Sequence, residues 1–298
     1  MATRRTPPPA RTRPTLARLG RAADRGALEH YDDPAYYTKT YAPRTEDVDY
    51  YVEAARASRG PLLEYGIGNG RVAIPVARTG IEVVGIDLSV PMLHSLSERL
   101  RHEPPAVRSR VKAVQGDMRF KRLRRRFPLV IAPFNAVLHL YDREDVERFL
   151  ARVRGHLAPD GRFIFDFSMP DACDLCRDPG RSYGAPRFRH PTTGELTRYA
   201  ERFEYDSLRQ IMLVNMDFIP EGKRPRWTTV LTHRQFFPQE MEALLHYNGF
   251  TDINWSADFT DQPPDAHTDS LVVSCRARVA SRSPRRRTTK LATSRRRT

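Results

Sequence analysis

The chain has little cysteine and no long apolar run. Its 298 residues include three cysteines, too few for a disulfide framework, which suits a reducing compartment and predicts a cytoplasmic protein. Cys173 and Cys176 form a lone C-x-x-C without a second pair or a nearby pair of histidines, so incidental thiols are favoured over a zinc or redox site and no metal is predicted. No stretch approaches the roughly 20 apolar residues of a membrane span, so no membrane partner is expected.

The positive charge is concentrated at the two ends of the chain. Of the net charge of +14, residues 1–29 carry +5 and residues 276–298 carry +10, which leaves −1 for the rest. Both ends are poor in apolar residues, so we predict disordered basic tails at 1–29 and 279–298 around one domain at 30–278. The N-terminus lacks the apolar core of a secretory signal, and its arginines leave an organelle transit peptide as an alternative.

A glycine-rich turn organises the domain. Leu62 and Leu63 end an apolar run of strand type, Glu64 follows, glycines stand at 66, 68 and 70, and a helical apolar pattern begins at Val72. Strand, turn and helix in this order form a nucleotide-binding corner. Arg71 occupies a position where a dinucleotide fingerprint has Gly or Ala. A carboxylate before the first glycine repels a pyrophosphate but suits an ammonium group, which favours a ligand with an amino-acid end.

Short apolar strands alternate with helical patterns on both sides of this turn. The strands are expected to end near Ile86, Gln115, Ala132 and Phe167, with two more at 251–255 and 270–277. This alternation predicts an α/β fold with a parallel sheet and helices on both faces. Residues 171–193 look irregular, and residues 196–205, 210–219 and 226–234 are predicted to be three antiparallel strands. They would form a lid inserted at about 171–235.

The stretch Glu64–Gly70 resembles motif I of class I S-adenosylmethionine (SAM)-dependent methyltransferases, written E/D-x-G-x-G-x-G. The resemblance implies a Rossmann-like seven-stranded sheet and SAM as cofactor. It implies that the SAM site includes Glu64, Gly66, Gly68 and Gly70.

Two acidic residues follow the next two strands. Asp87, 17 positions after Gly70, can accept both hydroxyls of an adenosine ribose. The alternative role of Asp87 is to cap the helix that begins at Leu88 and Ser89. Leu88 is also included in the expected SAM site. In the methyltransferases that this chain resembles, the acid after the third strand faces the adenine amino group and the next backbone N–H reaches a ring nitrogen. Those positions are Asp117 and Met118, and the alternative for Asp117 is a solvated turn.

The loop after the fourth strand carries the expected acceptor side. DNA and RNA amino-methyltransferases place Asn or Asp before Pro-Pro-aromatic there, whereas this chain has Ala132, Pro133 and Phe134. The Asn-x-x-x-His spacing of Asn135 and His139 instead resembles small-molecule N-methyltransferases that act on amino sugars or glycine. The resemblance places Phe134 beside the cofactor and makes Asn135 and His139 catalytic candidates. A buried, hydrogen-bonded core histidine is the alternative for His139.

Tyrosines 36, 37 and 41 precede the sheet domain. In the same relatives a tyrosine-bearing N-terminal segment covers the cofactor, which implies that Tyr37 contacts SAM and that Tyr41 is a third catalytic candidate. An aromatic helix that packs on the sheet is the alternative. We expect Tyr41, Asn135 and His139 to share one cavity.

These residues together predict a SAM-dependent methyltransferase that acts on a nitrogen or oxygen of a small-molecule acceptor. The alternative is an RNA- or DNA-binding protein, or a nucleic-acid methyltransferase, that uses the basic tails. Against this, the body of the chain is nearly neutral, so nucleic acid is expected to bind only non-specifically and in a salt-sensitive way.

Overall fold

A seven-stranded sheet forms the centre of the molecule. The structure, a computed structural model, describes residues 25–222 and 224–278. The strands are β1 (Leu62–Tyr65), β2 (Val83–Asp87), β3 (Val111–Gln115), β4 (Phe127–Ala132), β5 (Leu157–Ser168), β6 (Tyr183–Arg189), β7 (Leu196–Asp206), β8 (Ile211–Pro220), β9 (Trp227–Arg234), β10 (Phe250–Ala257) and β11 (Ser270–Ala277). The main sheet has the order β10-β11-β5-β4-β1-β2-β3. Its first five strands along the chain are parallel, and β11 is antiparallel to both of its neighbours.

Helices cover both faces of this sheet. The α-helices of the described residues are α1 (Pro34–Tyr41), α2 (Glu46–Ser58), α3 (Ala73–Arg78), α4 (Val90–Arg101), α5 (Pro105–Arg108), α6 (Arg143–His156), α7 (Ala172–Leu175) and α8 (Pro238–Tyr247). One apolar core packs α6 and α8 against the sheet through residues such as Phe149 and Leu245. A second core packs α2 to α5 against the sheet through residues such as Tyr51 and Leu96. The predicted α/β sheet with helices on both faces is confirmed.

The inserted lid is a separate antiparallel sheet of four strands, in the order β6-β7-β8-β9. The prediction of three strands was wrong because β6 lies in a segment that we expected to be irregular. Gly184 and Pro186 lie within β6, and its pairing with β7 is interrupted between Ala185 and Phe188. Proline is tolerated in an edge strand, where a missing N–H interrupts no second ladder. Most of β6 is exposed, so it lacks the alternating apolar pattern that identifies a strand.

The lid and the N-terminal segment pack together. The Val230 amide on β9 donates to Glu29 Oε2 at 3.1 Å, and Glu29 begins a 3₁₀ turn that ends at Tyr31. Residues 25–29 are therefore packed against the lid, although the sequence placed them in the N-terminal tail. Residues 1–24 and 279–298, which make up the rest of the predicted tails, lie outside the described residues. Across 25–222 and 224–278, no helix is long and apolar enough to cross a membrane.

Candidate active site

A cavity of about 520 Å³ lies beyond the carboxyl ends of β1, β2 and β4. Its volume is within the range of about 300–1,000 Å³ in which proteins bind small ligands, and its position is where α/β sheets bind them. Most of the predicted site residues line it: Tyr37, Glu64, Gly66, Gly68, Asp87, Leu88, Asp117, Met118, Phe134 and His139. Gly70, Tyr41 and Asn135 do not line this cavity.

The glycine turn takes the backbone conformation that its sequence predicts. Gly66, Gly68 and Gly70 have φ values of 72°, 52° and 80°, a region that L side chains rarely adopt. The Gly66 amide donates to the Ile86 carbonyl at 2.8 Å, which ties the turn to the end of β2. A Cβ atom on Gly70 would lie 2.5 Å from Leu96 Cδ1. Gly70 therefore allows the turn to pack against α4, while Gly66 and Gly68 face the cavity.

Two buried oxygen atoms at this turn have no protein partner. Glu64 is 2% exposed, and neither its Oε2 atom nor Asn69 Oδ1 accepts a hydrogen bond from any described residue. Both residues line the cavity. Burial raises the pKa of the Glu64 carboxyl well above its usual range. An orphaned buried acceptor is costly unless a ligand satisfies it. This pair suits the ammonium group of an amino-acid end.

Asp87 supports the turn and faces the cavity. Its Oδ2 accepts the Gly68 amide at 2.6 Å, and its Oδ1 accepts the Ser89 amide at 2.8 Å. The cap of α4 is Ser89, whose side chain accepts from Met92. Burial raises the pKa of Asp87, and the backbone hydrogen bonds oppose that shift. A carboxylate offers about four lone-pair sites, so two remain for hydroxyl donors.

Asp117 and Met118 stand at the carboxyl end of β3. Both Asp117 oxygens accept hydrogen bonds from Arg119, the shortest from Nη2 to Oδ2 at 2.6 Å. Partial burial works to raise the pKa of Asp117, but these bonds and the charge of Arg119 outweigh it and lower the pKa. Arg119 Nη1 also donates to Asp145 Oδ2 at 2.7 Å. The lowered pKa keeps Asp117 ionised, so it remains a hydrogen-bond acceptor on the cavity wall.

Phe134 and Asn135 have positive φ values of 57° and 64°. Such backbone is strained in non-glycine residues and is concentrated at functional sites. The Phe134 amide donates to Asp166 Oδ1 at 2.8 Å, and the Tyr51 hydroxyl donates to the same atom at 2.6 Å. Burial raises the pKa of Asp166 to about 6. This buried network, which the sequence did not reveal, holds Phe134 at the cavity wall.

Asn135 is turned away from the large cavity. Its Oδ1 accepts the Ser168 amide at 2.7 Å, and its Nδ2 donates to Ser168 Oγ at 3.1 Å. It lines a second cavity of about 340 Å³ on the other side of Phe134. Tyr41 is also displaced from the expected position, with its hydroxyl 3.0 Å from His30 Nε2. The expectation that Tyr41, Asn135 and His139 share one cavity was wrong, because tertiary partners claim two of the three side chains.

His139 lies between two tyrosine hydroxyls at the cavity wall. Its Nε2 is 2.8 Å from Tyr31 Oη, and its Nδ1 is 3.2 Å from Tyr141 Oη. Tyr141 Oη is in turn 2.8 Å from Thr232 Oγ1 on β9. Burial, with a smaller contribution from His30, lowers the pKa of His139 to about 4. Tyr31 and Tyr141 also line the cavity, so three adjacent polar side chains form one part of its wall.

Sequence reasoning missed Tyr31, Tyr141 and the partner of Arg71. Tyr31 belongs to the aromatic segment that was singled out for Tyr37 and Tyr41, so only its position was available as a signal. Arg71 was visible as a departure from a dinucleotide fingerprint, but its ion pair with Asp47 was not. In the described residues, no group of three His, Cys, Asp or Glu side chains could hold a metal ion.

Comparisons with known proteins find similarity to methyltransferases. Residues 62–161 match the model of a family described as a methyltransferase domain. The dTDP-3-amino-3,4,6-trideoxy-alpha-D-glucopyranose N,N-dimethyltransferase of Streptomyces venezuelae is 30% identical over 128 residues, which are 43% of this chain and 51% of that enzyme. The chain therefore spans about half the length of that curated relative.

Two solved structures are similar to most of the chain. The CcbJ methyltransferase from Streptomyces caelestis aligns with a TM-score of 0.71 at 24% identity, over 85% of this chain and 99% of that one. The glycopeptide N-methyltransferase MtfA in complex with SAM aligns with a TM-score of 0.53 at 25% identity, over 76% of this chain and 86% of that one. The first similarity shows the fold alone. The second is to a protein whose structure contains SAM.

Proposed function

Because the chain carries a class I SAM-dependent methyltransferase domain and SAM is its cofactor, we propose that it methylates an amine nitrogen of a small polar acceptor. The observation that carries the proposal is the group formed by Tyr31, His139 and Tyr141 on the wall of the SAM cavity. The relatives support the same chemistry, since one is named for an amino-sugar substrate and another is a glycopeptide N-methyltransferase.

The residues of the cavity fit SAM at several points. The unpartnered oxygens of Glu64 and Asn69 suit its ammonium group, and the free lone pairs of Asp87 suit its ribose hydroxyls. Asp117 suits the amino group of its adenine. When bound, SAM supplies a sulfonium methyl group that a nucleophile takes without further activation. The protein's task is then to orient the nucleophile and to exclude water.

Two observations favour an orienting role for His139 over general-base catalysis: both of its ring nitrogens lie within hydrogen-bond distance of tyrosine hydroxyls, and burial lowers its pKa. An alkyl ammonium ion has a pKa near that of lysine, about 10.4, whereas His139 is held at about 4. A base this weak does not retain a proton taken from an ammonium ion near neutral pH. We therefore assign His139 an orienting role: it fixes the hydroxyls of Tyr31 and Tyr141, which contact the acceptor. The amine must arrive neutral, which desolvation in the cavity favours.

The experiment is incubation of the full chain with methyl-labelled SAM and paired acceptors. Each amino sugar is matched with the sugar that carries a hydroxyl in place of the amine, and transfer RNA serves as a macromolecular control. We expect label on nitrogen of at least one amino sugar and none on its hydroxyl partner. Label on oxygen, or on RNA in preference to the amino sugars, would overturn the proposal.

A further inference from the structure

The turn between β7 and β8 brings a charged side chain from the lid to the SAM cavity. Arg209 lines the cavity together with residues of the sheet domain. Asp206 Oδ1 accepts the amides of Leu208 at 3.1 Å and of Arg209 at 3.3 Å, which shapes the turn. The Gln235 amide donates to the Gln210 carbonyl at 2.7 Å. The backbone on both sides of Arg209 is therefore held in place.

Arg234 shows on which side of the cavity this turn lies. Its Nη2 donates to Gln210 Oε1 at 2.6 Å, and its Nη1 donates to the Tyr141 carbonyl at 3.1 Å. Ile211 also belongs to an apolar cluster against which Tyr141 packs. Arg209 therefore adjoins the group of Tyr31, His139 and Tyr141 rather than the glycine turn.

The guanidinium of Arg209 has a donor without a partner. Its Nη1 atom is buried and donates to no atom of the described residues. Five carboxylates line the same cavity, and the two that lie nearest to Tyr141 in sequence, Asp142 and Asp145, have other partners. Asp145 Oδ2 accepts from Arg119 at 2.7 Å, and Asp142 Oδ1 accepts the Asp145 amide at 2.8 Å. None of the ion pairs found in residues 25–222 and 224–278 includes Arg209. A buried donor in this state is costly, so a ligand atom is its expected partner.

The placement of SAM proposed above leaves this donor without a partner. The only anionic group of SAM is the carboxylate on the carbon that also bears its ammonium group. Glu64, in β1, and Asn69, in the glycine turn, suit that ammonium group. The turn that carries Arg209 is instead linked to Tyr141 through Arg234. Arginine prefers carboxylate and phosphate, which its planar guanidinium can grip with two parallel hydrogen bonds.

We propose that Arg209 binds an anionic group, phosphate or carboxylate, on the acceptor molecule. The acceptor is then an amine that also carries a negative charge, with the amine at Tyr31, His139 and Tyr141 and the anion at the lid. The amine part rests on the proposed function, whereas anion binding by Arg209 does not. The lid turn thereby selects among amines of similar size.

The test measures anion binding to the full chain saturated with S-adenosylhomocysteine. Inorganic pyrophosphate and malonate are titrated by calorimetry at about 0.15 M salt, which screens exposed charges beyond about 8 Å. The variants are Arg209→Gln, Arg209→Lys and the control Arg198→Gln. Arg198 is an exposed arginine of β7 that does not line the cavity, so the control has the same net charge and the same termini as Arg209→Gln.

We expect one anion to bind the wild type with a stoichiometry near one. Arg209→Gln should weaken this binding about ten- to a hundred-fold, as for a lost charge-assisted hydrogen bond, and Arg198→Gln should leave it unchanged. The anion affinity of Arg209→Lys should fall between those of Arg209→Gln and the wild type. Lysine keeps the positive charge but cannot form the two parallel hydrogen bonds of a guanidinium. Whichever of pyrophosphate and malonate binds identifies phosphate or carboxylate as the anion.

Two outcomes would overturn the proposal. One is that neither anion binds the wild type more tightly than Arg209→Gln. The other is that Arg209→Gln weakens S-adenosylhomocysteine itself, which would assign Arg209 to the cofactor site. A melting temperature within about 2 °C of the wild type shows that each variant is folded, since about 1 kcal/mol shifts a protein of this size by roughly 2–4 °C. Failure here leaves nitrogen methylation testable with uncharged amines.

Discussion

The guanidinium of Arg71 lies over the ring of Phe134, with Cζ 4.3 Å from the ring centroid. Arg71 is fixed there by Asp47, which accepts from both of its terminal nitrogens, Nη1 to Oδ1 at 2.8 Å. This contact connects the end of the glycine turn with the loop that follows β4. The two segments that would flank the donor sulfur are thereby braced against each other by one side chain.

Arg71→Met should lower the free energy of unfolding by about 3–5 kcal/mol, because Asp47 would remain buried and unpaired. The double variant Asp47→Leu, Arg71→Met should lose clearly less than Arg71→Met alone. Arg78→Met is the control, since its pair with Glu103 leaves 59% of the Arg78 side chain exposed and such pairs contribute at most about 1 kcal/mol. Urea denaturation measures all three; equal losses for Arg71→Met and Arg78→Met would contradict the bracing role.

Asp87→Asn should weaken SAM binding about ten- to a hundred-fold, the usual effect of losing about 1.5–3 kcal/mol of hydrogen bonding to a charged group. An amide offers fewer acceptor sites than the carboxylate, and the Gly68 and Ser89 amides already occupy two of them. Calorimetry with SAM measures the change, with the exposed Asp252 replaced by Asn as control. Unchanged affinity in Asp87→Asn would remove the ribose assignment.

Glu64→Gln should stabilise the SAM-free protein at pH 8 relative to the wild type, and less so at pH 4. Burial raises the pKa of Glu64 far above the unfolded value of about 4.3, so the folded chain binds the proton more tightly. Stability is then lost as pH rises from the unfolded pKa to the folded one. Gln does not titrate, so the part of this pH dependence that Glu64 contributes should disappear. Melting temperatures of the wild type and of Glu64→Gln, recorded across pH 4–8 without SAM, measure this pH dependence.

The same carboxyl should release a proton when SAM binds, because the ammonium group of SAM favours the ionised form. SAM affinity in the wild type should therefore rise with pH, and Glu64→Gln should bind more weakly without proton release. Calorimetry in two buffers of different ionisation enthalpy detects the proton. An identical binding enthalpy in both buffers would show that no proton is released and that Glu64 does not contact the ammonium group of SAM.

His139→Gln and Tyr31→Phe should each lower kcat with little change in SAM affinity. Their loss should fall below the roughly 10²–10⁴-fold of general acid–base catalysis, since the pKa of His139 near 4 favours orientation over proton transfer. Wild-type kcat should show no His139 titration between pH 6 and 9. Tyr247→Phe, at a residue 85% exposed, is the control. A variant that turns over the identified acceptor normally would exclude its residue from the site.

Residues 1–24 and 279–298 should be dispensable for folding and SAM binding, because they have little apolar content and much positive charge. A chain trimmed to residues 25–278 should keep its melting temperature and SAM affinity and lose most retention on nucleic acid at low salt. A chain that starts at residue 32 should lose SAM affinity. It lacks Glu29, which accepts a hydrogen bond from the Val230 amide on β9, and Tyr31, which lines the cavity. Comparable SAM affinity in both trimmed chains would contradict this.

The local sequence alone determined the main sheet and which residues of the glycine turn and of the strand ends line the cavity. Short apolar runs, each followed by a glycine turn or an acid, predicted the parallel strands and the residues at their ends. These features depend on neighbours in the chain: Gly66 and Gly68 are needed by the turn itself, and Asp87 follows directly from β2. The predicted number of lid strands was wrong because the local signal is weak in β6, which is mostly exposed and contains Gly184 and Pro186.

The wall of the cavity formed by Tyr31, His139 and Tyr141, where we propose that the acceptor binds, was decided by tertiary structure. Tyr31 and His139 are separated by 108 positions along the chain, and no periodicity predicts that their side chains meet. Asn135 was placed on the correct loop, yet Ser168, 33 positions away, turned its side chain out of the cavity. Side-chain direction depends on which distant partner satisfies each buried polar group. The sequence pattern therefore locates the loop after β4. Only the packing of the whole domain decides which residues of that loop face the cavity.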